Sequence, residues 1–141
     1  MSQKKIIGRV EKVDFPDWNI FGIDAKIDTG AYTSSLHCHE IELDSEKQNV
    51  TFFLFDPSHP EFEQTRFGSP VHDIRSIRSS NGLAEDRIII KTTLSIIGED
   101  YPIELSLTDR SEMRYPVLLG RKFIKGKFIV DVSKKNIGKE V

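Results

Sequence analysis

The chain has 141 residues, of which 38% are hydrophobic and 30% charged, and its formal net charge is −2. This length fits one domain, and about two-thirds of the unfolded surface of such a chain can be buried without help from a metal or disulfides. The near-neutral charge disfavours nucleic-acid binding, no apolar run reaches the roughly 20 residues of a membrane span, and the single cysteine indicates a cytoplasmic protein.

The first half of the chain is predicted to consist of strands. Alternating or β-branched residues favour strands at Lys5–Val13, Ile20–Ile27, Ser34–Leu43 and Val50–Phe55. The stretch FPDWN between the first two is typical of a turn. In the second strand, alternate residues should lie on one face of a sheet.

The second half begins with Asp56–Pro70, a polar segment containing three prolines and a glycine, which predicts a long surface excursion. Further strands are predicted at Val71–Ile77, Arg87–Ile96 and Tyr101–Asp109, and a short helix at Arg121–Ile124. Residues 1–133 would form the domain, and residues 134–141 a charged tail that frays. Many short strands with few helical patterns predict an all-β protein, a barrel or a sandwich.

One motif, Asp28-Thr29-Gly30-Ala31, follows an apolar strand and places a carboxylate at the strand end, before a glycine that can turn sharply. By itself it could be a plain turn, since Asp and Gly are common turn residues.

A second motif, Val117-Leu118-Leu119-Gly120-Arg121, by itself indicates only a buried strand that ends in a glycine. With the DTGA motif early and this motif late in an all-β chain, the sequence resembles the retropepsins, the single-lobe aspartic peptidases of retroviral type. The resemblance implies a closed barrel in which Leu118, Leu119, Gly120 and Arg121 pack beside the DTGA loop in a crossed-loop arrangement.

That resemblance also implies roles for the first motif. Asp28 would be the catalytic carboxylate, Thr29 would hydrogen-bond across a two-fold axis, Gly30 would give the substrate room, and Ala31 would support the loop. Aspartic peptide hydrolysis needs two carboxylates that share one proton, and the chain has only one DTG. A homodimer that acts on a peptide or protein substrate is therefore predicted.

More closely, the chain resembles the bacterial "ATP-dependent zinc protease" family that is found beside RimK-type glutamate ligases. The matching stretches are IIGRVEKVDFPDW, Ala25–His37 and Ile88–Ser133, which together cover nearly the whole chain. The resemblance implies a functional link to a glutamate ligase and, through it, glutamate-rich tails as substrate. Neither a G-x-x-x-x-G-K-[ST] phosphate loop nor an H-E-x-x-H zinc helix is present, so no cofactor and no metal is predicted from the residues.

Two departures from the retroviral pattern stand out. Tyr32 occupies the position where retroviral enzymes place an acidic residue that pairs with the arginine after the late glycine, so Arg121 is expected to pair with Asp109 or Glu112. The segment between the two motifs is also long, and the flap that covers the substrate could be Pro57–Pro70 or Ser79–Glu85.

Three alternatives remain open. A zinc site could use His37, Cys38 and His39 with His59 or His72, although exposed histidines beside a buried thiol are favoured, because strand alternation lets only two ligands converge. Arg75 and Arg78 could bind an acidic peptide, although most arginines should pair with the 22 acidic residues. The third is a non-catalytic dimeric module that binds a peptide at a sheet edge.

Overall fold

The computed structural model describes residues 3–57, 59–78, 82–109 and 114–138, and strands dominate this part of the chain. The strands are β1 (Lys5–Ile7), β2 (Val10–Phe15), β3 (Ile20–Ile27), β4 (Ser34–Leu43), β5 (Asn49–Leu54), β6 (Arg66–Pro70), β7 (Asp73–Arg78), β8 (Ala84–Ile96), β9 (Glu99–Thr108), β10 (Val117–Leu119) and β11 (Phe128–Val130). The helix α1 spans Arg121–Ile124, and 3-10 turns span Pro16–Trp18 and Pro60–Gln64. None of these helices is long and apolar enough to cross a membrane.

Six strands close into a barrel in the order β10, β3, β2, β8, β9, β4, with β4 returning to pair with β10. Strands β5 and β6 extend the sheet outward from β4, and β7 pairs with the first part of β8. The predicted all-β, closed-barrel fold with one short helix is confirmed.

The barrel interior is filled by alternate residues of its strands. In β3, Ile23, Ala25 and Ile27 are all buried, as the alternation predicted. Leu105 of β9 and Leu119 of β10 are fully buried beside them. This apolar interior holds the ends of β3 and β10 in fixed positions; the first site motif follows the end of β3, and the second contains β10.

The first strand is shorter than predicted, because the chain from Lys5 to Val13 is interrupted at Gly8 and Arg9. A Cβ atom at Gly8 would lie 2.5 Å from the carbonyl oxygen of Lys134. The C-terminal segment therefore crosses close to the chain at this point, and β1 separates to pair in parallel with β11.

The expectation that the chain frays after Ser133 is wrong for residues 134–138. The Arg9 amide donates to the Lys134 carbonyl and the Asn136 amide to the Val10 carbonyl, each at 2.8 Å. The buried carboxylate of Glu11 accepts hydrogen bonds from the amides of Gly8, Ile137 and Gly138. These bonds fix the C-terminal segment against β2; residues 139–141 lie outside the described part.

The segment from Asp56 to Pro70 is more ordered than the predicted surface excursion. Its last five residues form β6, which pairs with β5, and Pro60–Gln64 forms a 3-10 turn. Within it, Phe67 packs 6.3 Å from Trp18, measured between ring centroids. The prolines therefore interrupt the sheet locally, while Phe67 packs against Trp18 and the core and keeps the segment in contact with the barrel.

Candidate active site

The two sequence motifs meet because β10 inserts between β3 and β4. Val117–Leu119 pairs in parallel with Ala25–Ile27, and the first two of these residues pair antiparallel with Leu36 and Ser35. The loop after β3 and the turn after β10 thus cross each other at one end of the barrel. This is the crossed-loop arrangement that the resemblance implied.

The loop that carries Asp28 is held by main-chain hydrogen bonds. The Asp28 amide donates to the Leu119 carbonyl at 2.8 Å, and the Ala31 amide donates to the Asp28 carbonyl at 3.2 Å. The Gly30 amide donates to Oδ1 of Asp28 at 3.0 Å, which fixes the orientation of the half-buried carboxylate. Within the described residues Oδ2 makes no hydrogen bond, so one carboxylate oxygen is left for a reacting group.

Gly120 is required where the loops cross. A Cβ atom there would lie 2.6 Å from the carbonyl oxygen of Thr33 and 2.7 Å from that of Tyr32, distances that side-chain carbons essentially never show. The Gly120 amide donates to Oγ of the buried Ser34 at 3.0 Å. Sequence reasoning missed Ser34; its position just after the DTGA motif, on the strand that flanks β10, was the available signal.

Arg121 is not paired with Asp109, one of its two expected partners. Its guanidinium donates to the Thr29 carbonyl at 3.0 Å and lies 5.8 Å from the centre of the Tyr32 ring. Asp109 lies instead 3.4 Å from His39, and Glu112 is outside the described residues. The prediction of an Asp109 pair was wrong because the guanidinium of Arg121 instead contacts the Thr29 carbonyl, within the catalytic loop, and the Tyr32 ring, just after it.

Main-chain bonds continue past Arg121. Its amide donates to the Ala31 carbonyl at 2.8 Å, and the Lys122 amide donates to the Tyr32 carbonyl at 2.9 Å. The first turn of α1 is thereby joined to the DTGA loop. All eight residues predicted to form or support the site, from Asp28 to Ala31 and from Leu118 to Arg121, therefore lie together at the crossing.

The histidine and cysteine residues of β4 were the zinc ligands considered from the sequence. No group of three potential ligand side chains converges anywhere in the described ranges. Cys38 is buried, and burial together with nearby Asp109 raises the pKa of its thiol well above the usual value, which disfavours the thiolate that binds metals. His37 is also fully buried, so the expectation of exposed histidines was wrong for this residue.

Arg75 and Arg78 lie three positions apart on β7 and therefore point to opposite faces of the hairpin. Arg75 donates to Asp73 at 2.8 Å and to Oε1 of Glu104 at 3.0 Å. Arg78 donates to the Gly82 carbonyl at 2.7 Å, near the end of the hairpin. Of the two side chains, only that of Arg75 therefore points toward the barrel.

Beside the crossed loops lies a cleft of about 270 Å³. Its lining residues are Thr33, Ser34, Arg75, Ile89, Lys91, Pro102, Ile103, Glu104, Ser106, Lys122, Phe123 and Lys127. Hydrogen bonds from Lys122 and then Arg75 hold the pKa of Glu104 below its usual value. Sequence reasoning missed this set, apart from Arg75, because it needs the register in which Lys91 faces Glu104 across β8 and β9.

The β7–β8 hairpin is linked to the crossed loops through this cleft. Arg75 of β7 and Lys122 of α1 both donate to Oε1 of Glu104. Of the two flap candidates, the segment Ser79–Glu85 is the one at the end of this hairpin, although residues 79–81 lie outside the described ranges. The other candidate contains β6, at the far edge of the sheet beyond β5.

Comparisons with known proteins agree with this geometry. A family model described as RimB-like, a retropepsin-like aspartic endopeptidase, matches residues 6–140. A solved structure of a Legionella pneumophila protein of unknown function is 25% identical, with a TM-score of 0.77, covering 97% of this chain and 100% of that one.

Curated relatives carry a different name. Proteins named probable alpha-L-glutamate ligase from Parasynechococcus marenigrum and Shewanella pealeana are 35% and 38% identical over 93% and 94% of this chain. The chain spans only 28% and 30% of the length of those two relatives. The similarity therefore concerns one part of each of them.

Proposed function

Because the chain belongs to the RimB-like family of retropepsin-like aspartic endopeptidases, we propose that it hydrolyses peptide bonds as a homodimer, with water activated by two Asp28 carboxylates. The observation that carries this proposal is the Asp28 loop. Its amide is tied to β10 and one carboxylate oxygen is held by Gly30, while Oδ2 has no hydrogen bond within the described residues.

The chemistry follows from pairing two such carboxylates. Like charges a few ångströms apart cannot both ionise easily, so the pair holds one proton and titrates as a unit. The ionised member takes a proton from a water molecule as the water oxygen attacks the scissile carbonyl carbon. The protonated member donates to the carbonyl oxygen, and the amine leaves after it receives a proton.

A dimer is needed because each chain supplies one DTG loop. Thr29 and Gly30 are exposed at the tip of this loop, and Tyr32 next to them is 57% exposed. A two-fold axis at the loop tip would bring the two carboxylates together. Thr29 would then hydrogen-bond across the axis, while Arg121 holds its carbonyl from within the same chain.

The substrate that we propose is a glutamate-rich tail. The relatives named probable alpha-L-glutamate ligase contain a region similar to this chain within a much longer polypeptide. A peptidase joined to a ligase that adds glutamate would act on the product of that ligase. We place this activity in the cytoplasm, since the single cysteine is free and buried and the chemistry needs no disulfide.

The decisive experiment compares wild type with Asp28→Asn on a peptide that ends in several glutamates. The substitution should leave the dimer intact and lower kcat by about 10²- to 10⁴-fold, because it removes the group that transfers the proton. Asp24→Asn, on the strand that leads into the Asp28 loop but paired with Lys12 at 2.7 Å, is the matched control and should retain activity.

Solution mass completes the test. A stable monomer with full peptidase activity would contradict the paired-carboxylate mechanism. A dimer that cleaves no peptide between acid and neutral pH would favour the non-catalytic peptide-binding module. Activity that is lost with a zinc chelator and kept by Asp28→Asn would favour a zinc-dependent peptidase.

A further inference from the structure

The cleft beside the crossed loops carries an excess of positive charge. Four cationic side chains line it, those of Arg75, Lys91, Lys122 and Lys127, against the single carboxylate of Glu104. Arg75 and Lys122 each donate to Glu104 at 3.0 Å. Within the described residues Lys91 has no ion pair, and Lys127 donates to the Phe123 carbonyl. Two ammonium groups are thus left without a carboxylate partner there.

A buried hydroxyl in the same cleft has no partner among the described residues. Ser106 is only 1% exposed, and its Oγ makes no hydrogen bond within the described part of the chain. A buried polar atom without a partner costs about 1–3 kcal/mol, so such atoms are rare unless a ligand or water completes them. Ser106 faces Ile89 across β8 and β9 and lies two positions from Glu104 on the same face. The hydroxyl is therefore available to a water molecule or to a polar group of a ligand inside the cleft.

The remaining walls are apolar. Ile89, Pro102 and Phe123 contribute to the lining, and Phe123 is nearly buried. A ligand that fits must combine an anionic end for the lysines with an aliphatic part for these walls. An acidic side chain with a short methylene stem has this composition.

The cleft adjoins the catalytic loop through shared residues. Thr33 and Ser34 line it, and both contact Gly120, Thr33 through its carbonyl and Ser34 through its hydroxyl. Asp28 is hydrogen-bonded to Leu119, the residue before this glycine. The cleft and the catalytic loop are therefore connected through the residues around Gly120.

We propose that this cleft is a carboxylate-binding subsite, in which Lys91, Lys127 and Ser106 hold an acidic side chain of the peptide next to the scissile bond. The assignment rests on the proposed peptidase function for its substrate. Glu104 positions Arg75 and Lys122 at the rim and neutralises part of their charge, which leaves the other two lysines to bind the substrate.

The test separates binding from cleavage by using Asp28→Asn protein throughout. Fluorescent peptides of five glutamates and of five glutamines are titrated against it, with and without Lys91→Gln, Lys127→Gln or Ser106→Ala. We expect the glutamate peptide to bind at least about 10-fold more tightly than the glutamine peptide, a difference of about 1.4 kcal/mol. Each of the two substitutions Lys91→Gln and Lys127→Gln should reduce this preference for the glutamate peptide several-fold. The affinity for the glutamine peptide should not change.

Lys125→Gln is the matched control, because Lys125 lies between Lys122 and Lys127 in sequence but is exposed outside the cleft. It should change binding less than about 2-fold. Ser106→Ala should weaken glutamate-peptide binding while the melting temperature stays the same or rises, because the hydroxyl has no partner to lose. A purely structural role for Ser106 would lower the melting temperature instead.

Equal binding of the two peptides, or equal effects of Lys91→Gln and Lys125→Gln, would overturn the subsite. Lysine-dependent binding by Asp28→Asn protein, with no cleavage by wild type, would support the subsite and contradict the peptidase. Cleavage by wild type without any preference for acidic peptides would contradict the subsite alone.

Discussion

The catalytic loop and the basic cleft lie side by side but are held together in different ways. At the crossed loops the main chain makes most of the contacts, as in the bonds from Asp28 to Leu119 and from Arg121 to Ala31. In the cleft, partly exposed side chains make them, as in the bonds from Arg75 and Lys122 to Glu104. One region depends on backbone geometry and the other on charge.

This difference determines which conditions can disturb each region. Main-chain hydrogen bonds in the barrel do not change with pH or salt as long as the fold persists. Ion pairs between partly exposed side chains contribute only about 0–1 kcal/mol each and weaken with salt. We therefore expect a rigid catalytic loop beside a subsite whose shape and affinity respond to solution conditions.

The largest effect should come from filling the space at the crossing. Gly120→Ala places a methyl group within 2.7 Å of two carbonyl oxygens of the backbone, which cannot move without separating the loops. The free energy of unfolding should fall by about 3 kcal/mol, the upper part of the range for overpacking. Urea unfolding measures the stability, and the activity of the folded fraction should fall as well.

Gly68→Ala is the matched control for that substitution. A Cβ atom at Gly68 would have its nearest neighbours at 3.8 Å, an ordinary contact distance, and the residue lies on a strand far from the site. Its stability should change by less than about 1 kcal/mol. If Gly120→Ala were as stable as Gly68→Ala, the crossed loops would not be fixed by close backbone contact.

The buried residue Glu11 tests whether the hydrogen bonds of a single side chain can stabilise the fold as much as main-chain hydrogen bonds do. Glu11 is 1% exposed and accepts hydrogen bonds from three amides, which join the turn after β1 to the C-terminal segment. Glu11→Ala should lower the free energy of unfolding by about 2 kcal/mol, because buried amides lose their acceptor. Hydrogen exchange should accelerate at Gly8, Ile137 and Gly138.

The exposed residue Glu46 has no hydrogen bond or ion pair within the described part of the chain, and Glu46→Ala should leave stability nearly unchanged. Deleting residues 134–141 removes the same C-terminal contacts, so its effect should not add to that of Glu11→Ala. Full additivity would mean that the two changes act on independent parts of the fold.

The features that could be predicted from the sequence are mostly those set by backbone geometry, and the features that could not are mostly side-chain contacts. The bounds of β3, β4 and α1 match their predictions, because alternation and the late glycine are local signals. The meeting of the two motifs was also implied by the sequence, through the family resemblance. These features depend on backbone geometry that short segments encode.

Contacts made by side chains across distant strands could not be predicted in this way. Asp109 was one expected partner of Arg121, whereas among the described residues the Thr29 carbonyl and the Tyr32 ring contact it. Two of the three partners of Glu11, Ile137 and Gly138, were missed because they lie 126 and 127 positions away in sequence. The cleft needs the register of β8 with β9 and the position of α1 together, and a hydrophobic pattern gives neither.

The smallest expected effect is the change with pH in the contribution of Glu104 to the free energy of unfolding. Hydrogen bonds from Lys122 and Arg75 lower the pKa of this glutamate from its ordinary value of 4.5. The ionised glutamate therefore stabilises the folded state at pH values above 4.5, and this contribution disappears as the pH falls through the lowered pKa. Since the side chain is 21% exposed, the contribution should be about 1 kcal/mol or less.

The contribution of Glu104 is measured as the difference in unfolding free energy between wild type and Glu104→Gln, at about pH 7 and about pH 3. We expect the difference to shrink at the lower pH, because the neutral glutamic acid then resembles the glutamine. Glu61→Gln, at an exposed position, is the matched control. A difference for Glu104→Gln that does not change with pH would mean that packing rather than charge holds the β7–β8 hairpin against the crossed loops, and the contrast between the two regions would then be lost.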